Sequence, residues 1–157
     1  YQPTFFVNDA FSISLGAYAD YSPDWLVWRH DNLIGSFKGR ETRLEAGLDW
    51  SIGDRQELRM KLQAVAVDGR LNQAYRVEGG RAVATDEAVD DFSVANFGFQ
   101  VRYRYELAPL SYLYVVYGRG GFRMEDAARG RGSLLGDSFD LRDDEQLVVK
   151  LSYRFEL

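Results

Sequence analysis

Nine charged side chains alternate with apolar residues along several segments of this chain. They are Glu45, Asp49, Arg59, Lys61, Arg102, Arg104, Glu106, Lys150 and Arg154. Side chains two residues apart in a β-strand lie on the same face, so this spacing predicts charged strand faces. A mainly basic face around a lumen could bind an anionic or sugar ligand. The alternative, which is normal for polar barrel interiors, is a lumen in which Arg and Lys pair with Glu and Asp.

The segment 28–32 contains the only histidine, His30, followed by Asp31. Such a pair could supply acid–base chemistry, as in an outer-membrane hydrolase. Adjacent strand residues point to opposite faces, however, so we do not expect Asp31 to orient His30. No GxSxG motif accompanies the pair. We therefore predict no enzyme activity and interpret the polar run as a bulge or an early exit from a strand.

Acidic residues cluster in two segments, 86–91 and 137–145, and could be considered as calcium ligands. The spacing in "DLRDDE" differs from the Asp-x-Asp-x-Asp-Gly pattern of an EF-hand loop. The chain has no cysteine, so it offers no thiolate ligand. We predict solvated loops here, with no metal and no other cofactor.

The bulk composition limits the class of protein. The 157 residues suit a single domain, 1–157, and the net charge of -5 argues against a general nucleic-acid binder. No apolar run approaches the roughly 18 residues of a membrane helix. The chain opens on Tyr1 without a recognisable signal peptide, so we expect a mature chain or a fragment.

Apolar and polar residues alternate with period two in six segments, which is typical of β-strands. These segments begin near Phe11, Leu44, Leu58, Phe97, Leu113 and Leu147. Two less regular segments, 4–7 and 25–37, bring the expected number of strands to about eight.

The predicted connections also alternate in length. Tight turns are expected at 22–24, 53–56 and 108–111, and longer links at 68–93 and 120–145. Short turns at one end and long loops at the other are the pattern of a transmembrane β-barrel.

The apolar residues keep their parity across "GDRQ" and "APLS", as one continuous sheet requires. At the first turn, Ile52 can pair with Leu58 or with Gln56. Asp49 then lies opposite Lys61 or Arg59, and either pairing places a charge pair on the polar face.

Segment length and aromatic placement favour an apolar face that is turned to lipid. The segments approach the roughly 9–11 residues that a tilted strand needs to cross a bilayer. Trp50, Tyr103 and Tyr105 precede predicted short turns, and Trp25 follows one, as in an interfacial aromatic belt. The charged residues would then face the lumen.

The end of the chain has the alternation of an outer-membrane assembly signal. Tyr153, Phe155 and Leu157 alternate with polar residues. This resembles the C-terminal signature of bacterial outer-membrane proteins, which the barrel assembly machinery reads.

Longer stretches resemble one bacterial family. "YSPDWLVWRHDNLIGSF", "FQVRYRYELAPLSYLYVVYGRGG" and "LRDDEQLVVKLSYRFEL" are similar to the C-terminal part of its members. Their N-terminal domain resembles carbohydrate-binding module family 9, and a large outer-membrane β-barrel domain of unknown function follows it. The resemblance implies a piece of a larger barrel, a carbohydrate connection and no catalytic residues.

The sequence thus predicts an all-β, antiparallel up-and-down transmembrane β-barrel in the outer membrane of a Gram-negative bacterium. The expected partners are the lipid bilayer, the assembly machinery and a carbohydrate ligand, with no nucleic acid. A soluble lipocalin-like barrel that binds a small ligand inside an apolar interior is the main alternative. An outer-membrane hydrolase is the third.

Overall fold

The computed structural model describes residues 2–155, which form an antiparallel β-sheet and one short helix. The elements are β1 (Thr4–Asn8), β2 (Phe11–His30), β3 (Leu33–Ile52), β4 (Gln56–Glu78), β5 (Arg81–Thr85), β6 (Phe92–Ala108), β7 (Ser111–Glu125), α1 (Arg131–Ser138) and β8 (Asp144–Ser152). The all-β prediction and the expected number of about eight strands are confirmed.

The strands follow an up-and-down order, β1-β2-β3-β4-β6-β7-β8, and β5 pairs with the far part of β4. Within residues 2–155, β1 pairs only with β2, and β8 only with β7. The predicted closed barrel is therefore not formed by this part of the chain, whose sheet is open along both edges. Short turns at 9–10, 53–55 and 109–110 mark one end of the sheet, the turn end. The opposite end is the loop end.

The register of β3 and β4 decides between the two pairings that the sequence allows. Ile52 lies opposite Gln56, which places Asp49 opposite Arg59. Gly53 turns the chain with φ +61, a conformation that favours glycine. Because the same parity continues into β6 and β7, the apolar side chains of the turn-end half share one face, as predicted. We call this the apolar face and the opposite one the polar face.

The tight turn predicted at residues 22–24 is wrong. β2 continues through this segment, and its register with β3 shifts between Ser22 and Trp25. Such a bulge tolerates Pro23, which has no N–H to donate. The chain turns instead at Asp31, which has φ +44. Residues 25–37 therefore belong to the end of β2 and the start of β3, and the aromatic rings near residue 25 lie far from the turn end.

The long strands change character toward the loop end. β2, β3 and β4 contain 20, 20 and 23 residues, about twice the predicted length. Phe37 lies on the polar face because it follows the alternation of β3, and Phe92 does so because it is paired with β4 in the same register. Both side chains are nevertheless buried. Their rings lie 5.0 Å apart, in edge-to-face contact. At the loop end, the polar face therefore carries a buried aromatic cluster, which we call the aromatic core.

Contacts across this core show that the sheet curls around its polar face. Trp25 of β2 and Phe92 of β6 are separated by two strands, which in a flat sheet is about 14 Å. Their ring centroids lie only 5.5 Å apart. Arg29 of β2 likewise reaches Asp126, just after β7, at 3.7 Å. The polar face is therefore the concave one.

The helix α1 packs on the apolar face. Leu134 and Leu141 join a buried cluster with Ala64, Ala66 and Ala95, whose small side chains leave room for the helix. Arg119 also lies on this face, where its guanidinium donates to the carbonyl oxygens of residues 139 and 141. The loop that carries α1 thus satisfies a charge on an otherwise apolar surface.

Gly69 allows the aromatic core to form, and its replacement should destabilise the protein. A Cβ added at Gly69 would lie 2.4 Å from the ring of Phe92, which is wedged against Trp25 and Phe37. We expect Gly69→Ala to lower the free energy of unfolding by about 1–3 kcal/mol, because the buried ring must shift. Urea titration measures this change. Gly98→Ala is the matched control, since a Cβ there meets no atom within 4 Å; equal losses in the two variants would contradict the packing described.

Candidate functional site

The concave polar face carries an open cavity of about 590 Å³. Residues from six strands, β2, β3, β4, β6, β7 and β8, line it. The polar side chains of this face that line it are Gln2, Ser14, Glu45, Asp49, Lys61, Gln63, Gln100, Asp144 and Gln146. A continuous cavity across so many strands agrees with the curvature seen at the loop end.

Glycines give this cavity its depth. Gly47, Gly98, Gly118 and Gly120 line it and have no side chain to fill it. Around them stand amides and carboxylates, and Gln63 Nε2 donates to Glu45 Oε1 at 2.8 Å. Amides both donate and accept hydrogen bonds, while carboxylates accept them. The lining therefore suits a ligand rich in hydroxyl groups.

The charged residues predicted from the sequence fall into two groups. Glu45, Asp49 and Lys61 line the large cavity. Arg59, Arg102 and Arg104 line a smaller cavity of about 240 Å³ nearer the turn end.

Three predicted residues lie outside both cavities. Glu106 and Lys150 lie on the same face by register, because their cross-strand neighbours are Tyr112 and Tyr114. Arg154 follows the end of β8, and its backbone N–H donates to Ser111 Oγ at 3.0 Å. The structure therefore places eight of the nine predicted residues on one strand face and Arg154 beyond it.

An ion-pair network occupies the smaller cavity, and its central carboxylate was not among the predicted residues. Glu57 pairs with Arg59 and, at 3.0 Å, with Arg104. Asp49 adds a 3.3 Å contact to Arg59. Glu57 has the parity of the polar face, since it precedes Leu58, so the alternation could have identified it. The interpretation of paired charges describes these residues well.

Three of the predicted cations on the polar face have no ion-pair partner among the described residues. Within residues 2–155, Lys61, Arg102 and Lys150 form no ion pair. The polar face thus combines a neutralised cluster near the turn end with unpaired basic groups around it.

His30 and Asp31 make a contact that strand geometry did not predict. His30 Nδ1 lies 3.3 Å from Asp31 Oδ2, because His30 ends β2 and Asp31, with φ +44, begins the turn to β3. The register with β3 shifts between Trp28 and His30, which is consistent with a bulge, and the rest of the polar run lies in the turn after β2. Both side chains are exposed, and in the described part of the chain no serine hydroxyl is hydrogen-bonded to His30.

Two of the three residues that we predicted as an assembly signal lie in the described part of the chain. Tyr153 and Phe155 follow β8, are exposed and stack edge-to-face with centroids 5.0 Å apart. Leu157 lies outside the described residues.

Residues 2–155 lack two features. No cluster of three or more His, Asp or Glu side chains could hold a metal ion. No helix there has the length and apolar character to cross a membrane.

The chain matches no protein-family model, no curated protein and no solved structure. Its function must therefore be inferred from its own residues.

The Asp49–Arg59 pair should be weak. Both side chains are more than half exposed, so solvent screens their attraction. We expect a double-mutant cycle with Asp49→Asn and Arg59→Gln to give a coupling of about 0.2–1 kcal/mol in urea unfolding. Asp49 with Lys61, which form no ion pair, supplies the control cycle. A coupling of several kcal/mol would show that this face is closed to water.

Proposed function

We propose that this chain forms part of the wall of an outer-membrane β-barrel in a Gram-negative bacterium, with a structural or transport-like role. One observation carries the proposal: an apolar band crosses the convex face at the same depth in neighbouring strands. One row of the band contains Leu48, Met60, Val101, Tyr117 and Leu147.

On β3, the height of the band fits a bilayer, whereas on β7 it ends at Tyr117, because Arg119 follows on the same face. Along β3 it extends from Ile52 to Thr42, which is ten residue steps (52 minus 42). At about 3.3 Å per residue this is about 33 Å along the strand. A tilt of about 40–45° reduces it to about 23–25 Å across the membrane, against roughly 25 Å for the apolar band of outer-membrane barrels.

Hydrocarbon would cover apolar side chains that water does not favour. Leu147, Val149, Leu151 and Leu15 are each at least half exposed on this face. They lie on β2 and β8, at the two sides of the sheet, and large exposed apolar side chains of this kind are typical of an interaction site or a membrane contact. The concave charged face would meanwhile stay wet.

A membrane location also requires partners for the two open edges. Unpaired N–H and C=O groups cost several kcal/mol each in hydrocarbon, so sheets that cross membranes are closed. We infer that β1 and β8 pair with further strands of a larger barrel, as the family resemblance implies. The eight charged residues of the polar face would then surround the lumen, and Tyr153, Phe155 and Leu157 would serve assembly.

A carbohydrate ligand is the substrate class that the family resemblance implies. The hydroxyl-compatible lining of the large cavity, with Gln63 and Gln100 beside Gly98, supports this part of the proposal. We assign no enzyme activity to the chain, since the exposed His30–Asp31 pair lacks a nucleophile partner in the described residues.

A soluble, lipocalin-like barrel is the second candidate, and one feature favours it. An apolar groove of about 540 Å³ lies on the apolar face beside Phe139. Leu15, Leu44 and Leu62 line it. A soluble barrel of this type would have to turn this face inward to hold a small apolar ligand, whereas in residues 2–155 the apolar face is the convex one.

Two neighbouring residues of β6 test the membrane proposal. Val101 lies in the middle of the apolar band, and Gln100 lines the polar cavity at the same depth. In phospholipid bilayers we expect Val101→Arg to lower the free energy of unfolding by about 2–4 kcal/mol, because it places a charge in hydrocarbon. Gln100→Arg should cost less than about 1 kcal/mol, because its side chain stays in water.

The wild-type protein distinguishes the two candidates. The membrane proposal predicts that the protein aggregates when detergent is removed. A wild type that stays folded and monomeric in buffer alone would favour the soluble barrel and contradict the proposal.

A further inference from the structure

Four basic side chains lie on the convex side of the sheet, just beyond the loop-end limit of the apolar band. We call Lys38, Arg40, Arg70 and Arg131 the basic patch. Lys38, Arg40 and Arg70 have the parity of the apolar face, and Arg40 is two residues beyond Thr42 along β3. Arg131 is the first residue of α1, which packs on that same face. All four are exposed.

The basic patch is not neutralised by the protein. Within residues 2–155 none of its four members forms an ion pair, whereas Arg59 and Arg104 of the polar face do. Lys38 and Arg70 are direct cross-strand neighbours. Like charges at opposed positions destabilise a sheet, so an anion that binds here would relieve the repulsion.

Two members of the basic patch share a pocket. Arg40 and Arg131 line a cavity of about 310 Å³ together with Ala19 and Tyr21. The guanidinium of Arg40 lies 5.8 Å from the centroid of the Tyr21 ring, which limits its orientations. Guanidinium groups bind phosphate oxygens in a bidentate manner, and two of them facing one pocket suit a phosphate group.

The nearby carboxylates do not compete for these cations. Asp20 also lines the pocket, but its position in β2 places its side chain on the polar face, on the other side of the sheet from Arg40. Asp68 lies directly opposite Arg40, yet it is buried, with 2% of its surface exposed, and forms no ion pair with it. The lining itself has two guanidinium groups and one carboxylate, which is a net positive charge.

We propose that the basic patch binds the phosphate groups of an outer-leaflet lipid. This inference rests on the proposed membrane location, because that location puts the patch at headgroup level, where the apolar band ends. The acyl chains of such a lipid would continue along Ala17, Ala19 and Leu44 on the same face. One bound lipid would thus satisfy both the cations and the apolar surface below them.

The test uses the full-length protein in detergent micelles and three probes. These are bisphosphorylated lipid A, the same lipid after removal of its phosphates, and inorganic phosphate alone. The patch variant is Lys38→Gln, Arg40→Gln, Arg131→Gln. The control variant is Lys61→Gln, Arg102→Gln, Lys150→Gln, which removes the same charge from the polar face. Native mass spectrometry measures the affinity for each probe.

We expect the wild type and the control variant to retain bisphosphorylated lipid A equally. The patch variant should bind it on the order of a hundredfold more weakly, since each cation near an anionic lipid contributes about fivefold. The dephosphorylated lipid should bind all three proteins weakly and equally.

Two results would overturn the inference. Equal loss in both variants would show a response to net charge alone. Inorganic phosphate that binds the wild type as tightly as the lipid does would show an ion site rather than a lipid site. If the proposed membrane location is itself wrong, the wild type would remain monomeric without detergent. The two failures can therefore be distinguished.

Discussion

The two-residue period of a regularly paired antiparallel sheet is the constraint on which this structure depends. From Ile52 opposite Gln56 to Phe37 opposite Leu71, β3 and β4 pair without a register shift. A slip by one residue would move every apolar side chain to the opposite face. The positions of the cavity, the band and the ion pairs therefore all follow from one register, which the tight turn at Gly53 sets.

With this register, the polar face is charged near the turn end and aromatic near the loop end. Near the turn end it carries Glu57, Arg59 and Arg104, which neutralise one another in part. Near the loop end it carries Phe37 and Phe92, which are buried together. Packing within the aromatic core curves the sheet. Because of this curvature, the charged surface beside the core lines a cavity. Strands that are twice as long as a bilayer requires are consistent with a core that stands outside the membrane.

Much of the sheet could be predicted from alternation, because a strand with unlike faces repeats every second residue. The parity across residues 53–55 and 109–110 is an example. The bulge at Pro23 could not be predicted, since Ser-Pro-Asp has the composition of a turn and only the pairing with β3 reveals a continuous strand. The helix α1 also could not be predicted, because it has only eight residues and no side-chain cap. It is stabilised by packing of Leu134 on small alanines, which the local sequence does not reveal. Of the site, the charged residues were identified by parity, whereas the contact of Asp31 with His30 depends on a turn that the sequence placed elsewhere.

The orientation of the two faces is the central claim, and adjacent identical residues allow a direct measurement of it. Val115 lies opposite Tyr103 on the apolar face, and Val116 lies opposite Arg102 on the polar face. In methyl-labelled protein in lipid nanodiscs, nuclear Overhauser effects report which methyl groups touch acyl chains. The account predicts acyl-chain contacts to the methyls of Val115 and water contacts to those of Val116. Acyl-chain contacts to Val116, with none to Val115, would contradict it.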